Sequence, residues 1–277
     1  MTLVAVCSLK GSPGVTTAVV GLASAWRAGE QPVVVECDPA GGDLLGRYRL
    51  ETAPGLTSLA AAARRSGEPG LVWQHTQRLP CGLPVVVGPA GTAQARASMV
   101  QLAHSGTRAL RRAADRAGTV VIADCGRVDQ GSPALEVVRD ADVMLLLARA
   151  RDDALSHVAT QLDAAARWTR RPCFVLVGDG YPTTEVAQAL EVEVMGRIPE
   201  DPKGAAALGG AAWRSAPARS PLGKALAHIA ALAAYRAAEP PVRVQEEIVD
   251  TAPGTGHGVP LPSQAIDPRK SWSEARL

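Results

Sequence analysis

The sequence has no apolar run near the roughly 18 residues that a membrane span needs. It also lacks a basic segment leading into a long apolar stretch at its start. A soluble, cytoplasmic protein is the expectation. The five cysteines (Cys7, Cys37, Cys81, Cys125 and Cys173) stand singly, without a CxxC pair. That pattern lacks the spacing of a zinc or dithiol redox centre, and the cysteines read as small buried residues in a reducing compartment. The five histidines show no ligand spacing and are given no catalytic role. Charge of one sign is missing too: 29 basic residues against 27 acidic leave a net +2. The chain therefore has no overall electrostatic footprint for nucleic acid, and only local clusters remain. Lysine is scarce, at Lys10, Lys203, Lys224 and Lys270 only. With alanine so abundant, this bias speaks of codon usage and not of function.

What is present is enough for one substantial α/β core, or a core plus an appendage: 277 residues, 47% of them hydrophobic. Short β-branched runs recur as LVAVCS, PVVVEC, LPVVVG, TVVIAD, DVMLLLA, PCFVLVG and VEVMGRIP. Continuous apolar runs of this length are the pattern of parallel strands buried on both faces. Helical stretches lie between them, near 16–27, 56–65, 93–116, 133–139, 152–168, 183–190 and 221–236. The alternation predicts a doubly wound, mainly parallel sheet flanked by helices, with its ligand site outside the carboxyl ends of the strands. This domain spans 1–238. The remainder, 239–277, is rich in proline, glycine and charge, and reads as a disordered tail with Trp272 as a candidate anchor for a partner. No repeat of solenoid length is visible.

Three strand ends carry chemistry. The first run enters LKGSPGVTT, where Gly11 and Gly14 free the backbone to wrap an anion, Pro13 stiffens the turn and the Thr16 hydroxyl can reach magnesium. A plain strand-to-helix turn is the competing reading. The second run ends in Glu36 and Asp38, acids that could orient a water or hold the water shell of a magnesium ion, or that simply open an Asp-Pro turn. The third ends in Asp124, placed as a Walker B acid or as a turn initiator. Taken together in this order, the three favour a phosphate and metal site.

These residues resemble the deviant Walker A motif, KGGxGK[ST]T, of the ParA/MinD family of P-loop ATPases. Lys10 matches that family's signature lysine, Gly11 and Gly14 its glycines, Thr16 and Thr17 its final pair, Asp38 its switch I aspartate and Asp124 its Walker B aspartate. LPVVVGPAG and VMGRIPEDPKG are similar to the family's VLPAG and GxIPxD segments, which makes Pro199, Glu200 and Asp201 candidate contacts to the base. The resemblance runs over about 2–235. It implies a phosphate cradle of Gly11, Ser12, Pro13, Gly14, Val15, Thr16 and Thr17, with magnesium at Thr16, Asp38 and Asp124. It also implies catalytic roles for Lys10 and Asp38, ATP or ADP as ligand, and a nucleotide-dependent homodimer in which Lys10 reaches the partner's phosphates.

The departures fall where hydrolysis is decided. Val15 stands where the family has its ordinary P-loop lysine, Ser12 replaces a glycine, and Gly178 and Asp179 stand where an asparagine is usual. A valine offers no charge to phosphate. The expected function is a nucleotide-responsive switch, a pseudo-ATPase or slow ATPase, that positions or regulates a larger assembly such as chromosome, division, pilus or secretion machinery. Two alternatives stay open. One is a DNA-partitioning ATPase using Arg167, Arg170, Arg171, Arg214 and Arg219; the other is a metabolic amidoligase or synthetase on the same fold. The tail has no basic amphipathic helix of useful length, which disfavours direct membrane binding.

Overall fold

The computed structural model describes residues 2–105, 107–210 and 217–239. The expected tail at 239–277, with Trp272, and the basic residue Arg214 therefore lie outside the described residues, apart from Glu239.

The strands are β1 (Thr2–Ser8), β2 (Gln31–Glu36), β3 (Gln77–Arg78), β4 (Pro84–Val86), β5 (Thr119–Arg127), β6 (Val143–Arg149), β7 (Pro172–Val177) and β8 (Val194–Ile198). The helices of the first half are α1 (Val15–Ser24), α2 (Leu44–Tyr48), α3 (Leu56–Ala63), α4 (Leu71–Gln74), α5 (Thr92–Ser105) and α6 (Thr107–Ala114). Those of the second half are α7 (Leu135–Asp140), α8 (Asp152–Ala166), α9 (Thr183–Leu190), α10 (Pro202–Leu208) and α11 (Pro221–Ala238). One eight-stranded sheet runs in the order β3-β4-β2-β5-β1-β6-β7-β8. Every described pairing is parallel except β3 with β4. All seven expected strands are present, so the doubly wound architecture holds. β3, two residues at the sheet edge, is too short to leave a pattern in the sequence.

Strand periodicity sorts the core into two layers. Leu3, Ala5 and Cys7 of β1, with Val121, Ala123 and Cys125 of β5, pack under α3, α5 and α6. Val4, Val6, Val120 and Ile122 point the other way, under α1 and α11. The same alternation in β2 sends Val33, Val35 and Cys37 to the first layer and Val34 to the second. Because successive side chains alternate, Glu36, Asp38 and Asp124 all belong to the second face, the one that α1 covers. Four of the cysteines are buried as expected, but Cys81 is exposed, since it lies in the β3–β4 connection and not in a strand.

Three helices were not legible as periodic segments: α2, α4 and α10, of five, four and seven residues. The stretch expected as one helix over 93–116 forms two, α5 and α6, with Gly106 between them in the sequence. No helix among the described residues is long and apolar enough to cross a membrane.

Candidate functional site

Glu36 and Asp124 are direct register partners on β2 and β5, and Val6 of β1 sits level with Asp124. The loop that follows β1 thus emerges beside two acidic strand ends. Asp124 is 1% exposed. Burial pushes its carboxyl up to about 6, opposed first by hydrogen bonding from the Thr16 side chain, with Asp38 adding charge repulsion. The backbone N–H of Gly126 also donates to Asp124 Oδ1 at 3.1 Å. Asp38 is half-buried and accepts the Ala40 N–H at 2.7 Å, and burial raises its carboxyl above the ordinary value. Gly126 lets the two acids approach: its φ is +57°, and a Cβ there would lie 2.0 Å from Asp38 Oδ2.

Glu36 has a different task from the one its sequence position suggests. It is 1% exposed, and its Oε1 accepts the N–H groups of Asp43 (2.7 Å) and Leu44 (2.9 Å) while Oε2 accepts that of Gly88 (2.8 Å). Burial lifts its carboxyl to about 7 against those three bonds. The side chain clamps the start of α2 to the end of β4, and its oxygens are already engaged by backbone rather than directed at a metal-bound water.

The β1–α1 loop leaves an open cradle. Gly14, the residue before α1, has φ +93° and ψ +36°, a left-handed conformation that glycine adopts without steric cost. A Cβ on Gly11 or Gly14 would meet nothing within 4 Å, so space lies in front of both, and the first N–H groups of α1 are free to meet an anion. Lys10, Gly11 and Ser12 are exposed, Pro13 is buried, and Thr16 and Thr17 are half-buried. Val15, however, is only 6% exposed and packs in the core layer under α1. It contributes packing, with only its edge reaching the cleft wall.

This cleft encloses about 700 Å³ between the loop, Asp38, Arg47, Arg96 and the segment after β5. A second hollow of about 440 Å³ shares Gly14 and is lined by Pro199, Glu200, Asp201 and Arg149. Phosphate and base sites would join in this way. Glu200 pairs with Arg149 at 3.2 Å across exposed surface. Asp201, also expected as a base contact, lines this hollow with its carboxylate engaged by backbone. Its carboxylate accepts the Gly204 N–H at 2.9 Å and the Leu222 N–H at 3.2 Å, tying the starts of α10 and α11 together, and these bonds hold its pKa low. Its side chain is a helix cap.

Magnesium fits the donor set. Among the described residues no group of three or more His, Cys, Asp or Glu side chains is gathered to hold a metal by itself. A hydroxyl and two carboxyls beside an anion cradle suit magnesium, which keeps waters and shares phosphate oxygens. Sequence reasoning missed three cations on this cleft, Arg47, Arg96 and Arg127. Arg47 lies on α2, a helix too short to show a period. Of the expected DNA-contacting arginines, Arg167, Arg170 and Arg219 are exposed, whereas Arg171 donates to the backbone carbonyls of Asp142 and Glu239.

A parallel sheet with a glycine loop, a helix N-terminus and two acids at adjacent strand ends defines a P-loop NTPase-like fold. No protein-family model matches the sequence, and no curated protein sequence matches it. Solved structures do. A ParA family ATPase from Chlorobium tepidum TLS superposes with a TM-score of 0.68 at 17% identity, covering 83% of this chain and 98% of that one. The septum site-determining protein MinD of Pyrococcus horikoshii OT3, complexed with Mg-ADP, gives 0.65 at 15% identity, covering 85% and 98%. Cobyrinic acid a,c-diamide synthase from Mycobacterium smegmatis, with bound ATP analogue and magnesium, gives 0.58 at 18% identity, covering 83% and 93%. The chain has the fold of the ParA/MinD ATPase structures.

Proposed function

We propose that this protein is a nucleotide-responsive switch of ParA/MinD type that binds ATP and ADP with magnesium, hydrolyses ATP slowly or not at all, and works as a dimer in positioning or regulating a larger assembly. The observation that carries the reading is the meeting of Thr16, Asp124 and Asp38 in front of an open glycine loop, while Val15 is turned into the core. Magnesium, when bound, would neutralise phosphate charge at Thr16, with Asp124 and Asp38 holding its water shell. Backbone N–H groups would hold the phosphates, and Pro199 and Glu200 would flank the base. Lys10, exposed at the loop, is free to reach a partner's phosphates across a dimer.

Calorimetric titration with Mg-ATP and Mg-ADP, with light scattering on the same samples, tests this reading. Wild type should bind both nucleotides and dimerise with ATP, and Lys10→Ala should keep Mg-ADP binding within about threefold while losing ATP-dependent dimerisation. No binding of either nucleotide at millimolar concentration sinks the switch.

Two other readings have specific support. Exposed Arg167 and Arg170 favour DNA contact, which would appear as ATP-dependent, salt-sensitive binding to unrelated duplexes. The fold shared with a diamide synthase leaves room for a ligase, but fold alone does not carry function.

A further inference from the structure

We propose that Arg47 is the phosphate-binding cation of this site, replacing from α2 the lysine that the loop lacks at Val15. The assignment rests on the nucleotide reading above and deepens it. Arg47 lines the cleft, and its guanidinium donates through Nη1 to the Thr17 hydroxyl at 3.2 Å. Thr17 lies in the first turn of α1, whose unpaired N–H groups face the cradle. The guanidinium therefore sits beside the helix end that would receive phosphate. The other cations of the cleft are placed differently: Arg96 reaches the Gly131 carbonyl at 3.5 Å, and Arg127 is the last residue of β5.

Arg47 is held there by the fold around it. Glu36 caps the start of α2 from a distant strand. Leu44 is fully buried in the core layer under α1, and the Tyr48 hydroxyl donates to the Leu208 carbonyl at the end of α10. Residues on both sides of Arg47 are thus anchored, so little order remains to be imposed when an anion arrives. Its Nη2 pairs with Asp43 at 2.5 Å, but that pair lies on the surface, with the two side chains 34% and 54% exposed. Arginine has five N–H donors, so contacts to Thr17 and Asp43 leave others for phosphate oxygens. A lysine at the loop would present a point charge; a fork from α2 presents a planar donor set to the same anion.

The test is calorimetric titration of Mg-ATP and Mg-ADP into wild type, Arg47→Ala, Arg47→Gln and Arg47→Lys, each checked by thermal melting. Arg47→Gln keeps length and polarity without charge, so it reports on phosphate binding even if Arg47→Ala loosens α2. We expect Arg47→Ala and Arg47→Gln to weaken both nucleotides by about tenfold or more, the size of one charge-assisted hydrogen bond. Arg47→Lys should keep part of the affinity. Affinities of the alanine and glutamine variants within about twofold of wild type would overturn the assignment while leaving the nucleotide reading intact. A wild-type chain that binds neither nucleotide overturns both.

Discussion

A single missing side chain brings two acids together. Gly126 holds φ +57°, and a methyl group there would meet Asp38 Oδ2 at 2.0 Å. Gly126→Ala should therefore push Asp38 away from Asp124, with added backbone strain of about 1–2 kcal/mol. The expected result is a folded protein, slightly less stable, whose nucleotide affinity no longer rises when magnesium is added. Titrations with and without magnesium check this, and an unchanged magnesium effect would mean Asp38 has no part in holding the ion. Asp38 and Asp124 were both legible as acids at strand ends. That they share one face came from the core layers of the folded sheet, and that Gly126 admits the approach was equally hidden, because the clash involves residues far apart in the chain. Val15 shows the reverse case. The family resemblance implied a missing charge there, and the structure places its side chain in the core layer under α1, 6% exposed.

Among elements, α2 depends on tertiary contacts for its existence. Five residues are too few to be helical alone. Glu36 supplies the missing cap, and its carboxyl, lifted from 4.5 to about 7, makes the clamp sensitive to pH. Between those values the folded chain keeps a proton that the unfolded chain has lost, so stability falls as pH rises from about 4.5 to about 7, by up to roughly 3 kcal/mol from this group. Asp124, pushed up to about 6, contributes in the same direction. Glu36→Gln removes the titration and turns one N–H pair against a backbone N–H. Urea unfolding from pH 4.5 to 8 should show the variant least stable relative to wild type at the acid end, with the gap narrowing toward neutral pH. A gap independent of pH would show that Glu36 stays ionised in the folded protein. The segment after β8 gives a second element-level result: Asp201, expected as a base contact in GRIPED, also caps the starts of α10 and α11.

For the whole molecule, a ligand that binds only the folded state must stabilise it. Nucleotide with magnesium at 100 times its dissociation constant should add about 2.7 kcal/mol, which for a domain of this size is a rise in melting temperature of about 5–10 °C. Thermal melts with Mg-ADP, Mg-ATP and magnesium alone check this; equal melting temperatures in all three would contradict nucleotide binding. Long apolar runs and the glycine loop determined the sheet, its parallel sense and the edge at which a ligand belongs, because strand period, turn chemistry and helix length are local properties written in consecutive residues. Tertiary structure alone decided which polar groups face that edge free and which are already engaged. Glu36 and Asp201 are bound by backbone N–H groups, Val15 is enclosed by the core, and Arg47 is brought to α1 by a helix that exists only in the folded chain. The physical reason is that hydrogen-bond partners and burial come from residues distant in sequence, and the folded chain alone brings them within reach.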